Sequence, residues 1–225
     1  IEVEIVGWGR NGESWSIDYR KIYGDTSTEE PYKALDLIMS EIWVRPNGVE
    51  MQISKMAVDT GYNTHYVYNR IRSSVYSHRM MAVKGGSPSM QTALGLPKSV
   101  DINLSGKRLY GGIKLWMVGV SLLKQELYSA LKLKPPLEKD GEYPKGFCHF
   151  PEYEEEFFKQ ITAEQLFVRI VKGYTNRVWE KLRDRNEALD CRVYARAAAI
   201  ATGIDRYTVD KWNELEIELG MGQTL

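Results

Sequence analysis

The sequence carries no net charge: its 225 residues include 30 Lys plus Arg against 30 Asp plus Glu. Overall charge therefore gives no sign of a polyanionic partner, and any nucleic-acid contact has to come from local clustering. Cysteine is scarce, with only Cys148 and Cys191 present. Their wide separation excludes a zinc finger and a disulfide framework and fits a reducing compartment, with both read as buried free thiols. No apolar run approaches the roughly 18 residues of a membrane span, and no charged-then-apolar leader precedes the first apolar residues. The expectation is a cytosolic protein with no membrane partner. A Gly-x-x-x-x-Gly-Lys-Ser/Thr string is also missing, so the chain has no phosphate-binding loop for a nucleoside triphosphate.

What is present has ordinary globular proportions, 43% hydrophobic and 27% charged, which sets aside disordered and collagen-like classes. The alternation Ile1, Val3, Ile5 is already under way at the first residue, which is not Met, so the chain reads as a piece of a longer polypeptide. Residues 1–9 and 14–23 are β-rich and flank Asn11-Gly12, a hairpin signal. Leu35, Ile38, Met39 and Ile42 recur at helical spacing between Thr28 and Trp43, and strand-like Ile53–Val58 runs into Asp59-Thr60-Gly61. A helix from about Asn63 to Val75 and a strand Met80–Lys84 follow, the alternation of an α/β sheet. From Gly85 to Gly112 the Gly, Ser, Pro and Lys content around short β-like pieces predicts an excursion or hairpin outside the main sheet. Strand Leu115–Val120, helix Leu122–Leu131, a second hairpin around Gly173-Tyr174-Thr175-Asn176, helix Asn186–Thr202 and helix Val209–Leu219 complete the pattern. The domain is expected to occupy residues 1–203, with a C-terminal helix and tail over 204–225.

Two acidic residues stand out. Asp59 ends an apolar strand, at the carboxyl edge where open α/β sheets keep their sites; its competing role is a turn or helix-capping aspartate. Asp190 lies on the long late helix, on the side roughly opposite Arg192 and Arg196 at about 100° per residue. Taking the two arginines as the solvent face predicts Arg192 and Arg196 exposed and Leu189 and Val193 buried. It also places Asp190 beside the packed face, where a carboxylate is costly unless paired or bound to a cation. An ion pair with Arg185 or Lys181 is the competing role there. Trp8, Trp15, Trp43 and Trp116 read as core residues rather than a base-stacking stripe. Basic residues from Lys98 to Lys114 fit a clamp over DNA or a solvated hairpin equally.

Several strings taken together, Val6-Gly7-Trp8-Gly9, Glu13-Ser14-Trp15, Val58-Asp59-Thr60-Gly61, Lys84-Gly85, His149-Phe150-Pro151, Thr162-Ala163-Glu164 before Leu166, and Asn186-Glu187-Ala188-Leu189-Asp190-Cys191, resemble the nuclease half of lambda-type phage large terminase subunits, colinearly from about Ile1 to Ala201. The resemblance implies a ribonuclease H-like mixed α/β fold lacking its first strand, which in that family precedes the hairpin and carries the first catalytic aspartate. It implies a metal-dependent DNA endonuclease with Asp59 and Asp190 as catalytic metal ligands, brought close enough to share a divalent ion, with Mg²⁺ or Mn²⁺ as cofactor and two ions in the complete domain. Lys84, Lys124 and Arg185 are the candidate DNA contacts, while Ser121 stands where relatives often carry an aspartate and receives no metal role. The implied partners are double-stranded DNA, an ATPase domain of the same polypeptide, the small terminase subunit and the portal protein, in the host cytoplasm. The rival function is a non-catalytic docking module in which the tail Asp205–Leu225 binds the portal or another terminase subunit.

Overall fold

Asn11 and Gly12 take φ of 58° and 74°, a left-handed turn that these two residue types enter at least cost, and they reverse the chain between strands β1 (Glu2–Trp8) and β2 (Ser14–Lys21). The strands pair antiparallel from Glu2↔Lys21 to Trp8↔Ser14. The computed structural model describes residues 1–104, 107–138, 141–171 and 173–220. Helix α1 (Glu30–Ser40) buries Leu35, Ile38 and Met39 of the expected stripe together with Tyr32, whereas Ile42 lies beyond its end and is exposed. A short ribbon of β3 (Trp43–Val44) and β4 (Glu50–Met51) leads to β5 (Met56–Asp59), whose crossover helix α2 (Thr64–Ser73) returns the chain to a parallel partner, β6 (Met80–Gly85). Strands β7 (Lys98–Leu104) and β8 (Lys107–Val118) follow, then α3 (Val120–Ala130), β9 (Cys148–His149) and α4 (Glu155–Ile161). The hairpin β10 (Glu164–Val171) and β11 (Tyr174–Lys181), the long helix α5 (Glu187–Thr202) and α6 (Val209–Glu218) complete the described elements.

The main strands form two mixed sheets, ordered β1-β2-β9 and β5-β6-β8-β7. The expected hairpin is present as β7–β8, but it is not outside the main sheet: β8 continues into the Leu115–Val118 stretch that pairs parallel with β6, and β7 closes the edge antiparallel. Its apolar positions are thinned by Gly, Ser, Lys and Arg, yet Ile102 is fully buried and Val100, Leu109, Ile113 and Leu115 pack on the same core. Strand β6 is covered on both faces. Met81 and Val83 point into a core shared with α3, α4 and α5, while Met80 and Ala82 point into one shared with α1 and α2, as the two-residue period of a strand requires. Helix α5 packs against α3, α4, β1 and β5 and so lies across both sheets. The strands it crosses are each the edge of their sheet.

The expected solvent face of α5 is wrong. Arg192 is 2% exposed, and the Arg196 side chain is itself largely covered. The angular separation of Asp190 from the arginines holds, but the arginine side packs inward too, because partners distant in sequence neutralise it. Arg192 Nη2 lies 3.2 Å from Glu4 Oε1, and its guanidinium covers the Phe150 ring at 4.8 Å. Arg196 pairs with Glu126 and Asp205 and lies over Trp8. Two smaller expectations also change. Trp15 is at the surface, stacked on His149 at 5.0 Å, and both cysteines are free but only half-buried. Helix α6 is tied to the β1–β2 turn through Arg10, which donates to Glu216 and Asn213; residues 221–225 of the proposed docking tail lie outside the described residues.

The Arg192–Glu4 pair yields a stability prediction. Removing one charge strands the other in the core, whereas removing both does not. Arg192→Ala should cost about 3–5 kcal/mol in urea unfolding. The double variant Glu4→Leu/Arg192→Met should lose distinctly less; an equal or larger loss would mean that the charges themselves hold α5 against β1.

Candidate active site

Asp59 closes β5, and the chain turns sharply after it. Thr60 is buried and donates from Oγ1 to the Val83 carbonyl at 2.8 Å, which pins the turn to β6. The Asp59 carboxylate is exposed and accepts the Gly61 N–H at 3.1 Å. That is the turn role expected of such an aspartate. It does not cap the next helix, whose N-cap is Asn63. The Tyr194 hydroxyl of α5 approaches Asp59 Oδ1 at 3.5 Å, so a residue one helical turn after Asp190 touches the strand-end carboxylate.

Asp190 sits in the first turn of α5. Burial pushes its carboxyl up to about 6; Lys124 and Lys181 oppose that rise, and the negative charges of Glu164 and Asp59 add to it. The structure therefore places Asp59 and Asp190, 131 positions apart in sequence, within range of each other's charge. The ion pairs considered as an alternative do not form. Arg185 bonds Glu2 and Glu187, and Lys181 donates to Asn186 Oδ1 at 2.9 Å. Asp190 accepts one hydrogen bond, to Oδ2 from Asn186 Nδ2 at 3.3 Å.

Beside Asp190 lies a buried charged cluster that pattern reading missed. Glu164, at the root of β10, is 5% exposed; Lys124 donates to its Oε2 at 2.6 Å and Asn186 to its Oε1 at 2.9 Å. Lys124 is thus no phosphate contact: its ammonium is buried against Glu164, not displayed on the surface of α3. Ser121, denied a metal role, accepts the Trp179 indole N–H at 3.1 Å. Of the other basic candidates, Lys84 is exposed at the end of β6 and the Arg185 side chain is half-exposed. Only the Thr-Ala-Glu string had marked Glu164, and nothing in the order of residues joined it to Lys124.

Among the described residues no group of three or more His, Cys, Asp or Glu side chains is gathered for a metal ion. Asp59 and Asp190 supply two oxygen-donor groups, short of the roughly three carboxylates that a two-ion site uses. A cleft of about 890 Å³ opens on the other side of α5, lined by Trp8, Leu127, Arg192, Arg196, Tyr207 and Trp212. The cleft holds neither of these acids. No described helix is long and apolar enough to cross a membrane.

Comparison with known proteins adds a family. Residues 1–212 match the model for "Terminase large subunit gpA, endonuclease domain". The chain is 33% identical over 214 residues to the large terminase subunit of Escherichia phage lambda, covering 93% of this chain and 31% of that protein. It is 30% identical over 214 residues to the large terminase subunit of Enterobacteria phage P21, covering 93% of this chain and 32% of that protein. The chain thus spans about a third of the length of these curated relatives. No solved structure matches it.

The raised Asp190 carboxyl makes stability depend on pH. Its folded value of about 6 lies above the ordinary 3.8, so its contribution is fully present below 3.8 and is lost as pH rises through 6. Above pH 6 the ionised, part-buried carboxylate opposes folding by about 3 kcal/mol. Asp190→Asn should accordingly unfold at higher urea than the parent at pH 7.5 in the presence of EDTA, and the gap should close near pH 4. A gap of the same size at both pH values would mean that burial of this carboxylate is not its source.

Proposed function

The chain belongs to the endonuclease-domain family of the terminase large subunit, and from that premise we propose that it cuts concatemeric double-stranded viral DNA by metal-dependent phosphodiester hydrolysis, on a ribonuclease H-like scaffold. The observation that carries this reading is Asp190: a part-buried carboxylate with one oxygen held by Asn186, within electrostatic reach of a second carboxylate at a strand end.

The donor set suits a hard divalent cation such as Mg²⁺ or Mn²⁺, since both groups are carboxylates and no thiolate or imidazole stands among them. Asp59 and Asp190 would hold it. When bound, such ions lower the pKa of an attacking water and stabilise the leaving oxygen. The protein's own part is to hold the two acids at fixed positions, Asp59 through the Gly61 N–H and Asp190 through the Asn186 amide. Tyr194 keeps its phenol protonated, since burial and the neighbouring carboxylates raise its pKa. Exposed Lys84 and half-exposed Arg185 are the cations available to DNA phosphates.

The split sheet supports a further part of the reading. β1 and β5 are both edge strands under one helix, an arrangement that suits one more strand between them. A strand from the polypeptide upstream of Ile1 would join the two sheets and deliver another carboxylate beside Asp59 and Asp190. The ATPase domain of that polypeptide, the small terminase subunit and the portal protein are the further partners this reading names.

The expected outcome in plasmid nicking with Mg²⁺ or Mn²⁺ follows. This chain alone should cut weakly or not at all, and a polypeptide extended upstream through the next strand should cut more, with little sequence preference. Asp59→Ala or Asp190→Ala in the longer polypeptide should each abolish cleavage, because each removes a ligand. Cleavage that survives both substitutions would remove these residues from the site.

A further inference from the structure

Resting on the reading of Asp190 as a metal ligand, we propose that Asn186 is a positioning residue, whose buried side-chain amide fixes the Asp190 carboxylate through Oδ2 and leaves Oδ1 for a divalent cation. Asn186 is 8% exposed and stands at the N-cap of α5, where an asparagine ordinarily turns its side chain onto the first backbone N–H groups. It makes no such cap. Its Nδ2 instead donates to two carboxylates, Glu164 Oε1 at 2.9 Å and Asp190 Oδ2 at 3.3 Å, and its Oδ1 accepts from Lys181 Nζ at 2.9 Å. The amide has one sensible orientation, because exchanging its N and O would set an oxygen against two carboxylates and an NH₂ against an ammonium.

Each partner is itself anchored. Glu164 is gripped on its other oxygen by Lys124, and its backbone N–H and carbonyl both bond the Tyr128 hydroxyl, at 3.2 and 2.5 Å. Lys181 and Glu164 face one another across the base of the β10–β11 hairpin, so the hairpin root holds both ends of the contact to Asn186. Lys124 and Lys181 both act on Asp190, but their ammonium groups are bonded to Glu164 and Asn186. Among the described residues Asp190 Oδ1 accepts no hydrogen bond. The result is a carboxylate held on one oxygen by a rigid neutral donor, the arrangement by which groups behind a metal ligand orient it.

The test is Mn²⁺ binding to the full chain at pH 8, followed by the loss of free-ion electron paramagnetic resonance signal, with thermal unfolding run beside it. Asn186→Ser keeps a good helix-capping residue but is too short to bridge the two acids; it should weaken Mn²⁺ binding about tenfold. Lys181→Met removes the outer hold on the amide at an exposed position and should weaken binding about threefold. That sign is diagnostic: deleting a cation near the site would tighten Mn²⁺ binding if charge alone mattered, and would leave it unchanged if Lys181 only supported the hairpin. Should Asn186→Ser fail to fold, Lys181→Met decides. Unchanged or tighter binding in Lys181→Met, while Asp190→Asn loses Mn²⁺, overturns the positioning role. Absence of Mn²⁺ binding by the parent, or binding that Asp190→Asn leaves untouched, overturns the metal-site reading instead.

Discussion

No residue of α5 from Ala188 to Ala201 is exposed, and every charged group on that helix is therefore costly unless it is paired. This one constraint organises the molecule. α5 runs across two sheets that share no strand, and it packs on β1, β5, α3 and α4. Its apolar residues Leu189, Val193 and Ala197 join the core that β6 presents through Met81 and Val83. Its charged residues point elsewhere, and each direction has its own answer: Glu4 from β1 for Arg192, Glu126 and Asp205 for Arg196, the Asn186 amide for Asp190. Placing the strand-end acid Asp59 beside this helix is then a consequence of packing, since β5 is one of the strands that α5 covers.

The parts of this arrangement that depend on neighbours in sequence were legible from sequence. The Asn11-Gly12 turn, the stripe Leu35, Ile38, Met39 and the strand that ends at Asp59 each follow from local rules of backbone and period. What escaped was pairing over distance. An arginine on a helix reads as solvent-facing because an unpaired charge is costly to bury, and nothing near Arg192 announces that its partner is Glu4. The same blindness hid Glu164, whose partners Lys124 and Asn186 come from other elements. The β7–β8 hairpin is legible as a hairpin but not as part of the main sheet, because its outward Lys, Arg, Ser and Gly mask an alternation that Val100, Ile102, Ile113 and Leu115 do keep.

Three carboxylates in this region meet the same problem of burial and solve it differently, and the differences single out one of them. Glu4 faces Arg192 and accepts the Ser16 hydroxyl at 2.7 Å, although burial still holds its pKa up. Glu164 has a donor on each oxygen, an ammonium and an amide. Both are buried, Glu164 with both oxygens bonded and Glu4 with Oε2 left without a hydrogen bond. Asp190 has one neutral donor on one oxygen, no cation in hydrogen-bond contact, and a second acid near enough to raise its pKa further. Completing it with another side chain would have been easy, since Lys124 and Lys181 are both close enough to act on it, yet one is committed to Glu164 and the other to Asn186. A part-buried carboxylate beside another carboxylate, with the nearby ammonium groups bonded elsewhere, suits the proposed role of cation ligand. In the proposed reading Asp190 and Asp59 form the site, and the buried pairs around them are the frame that holds them in place.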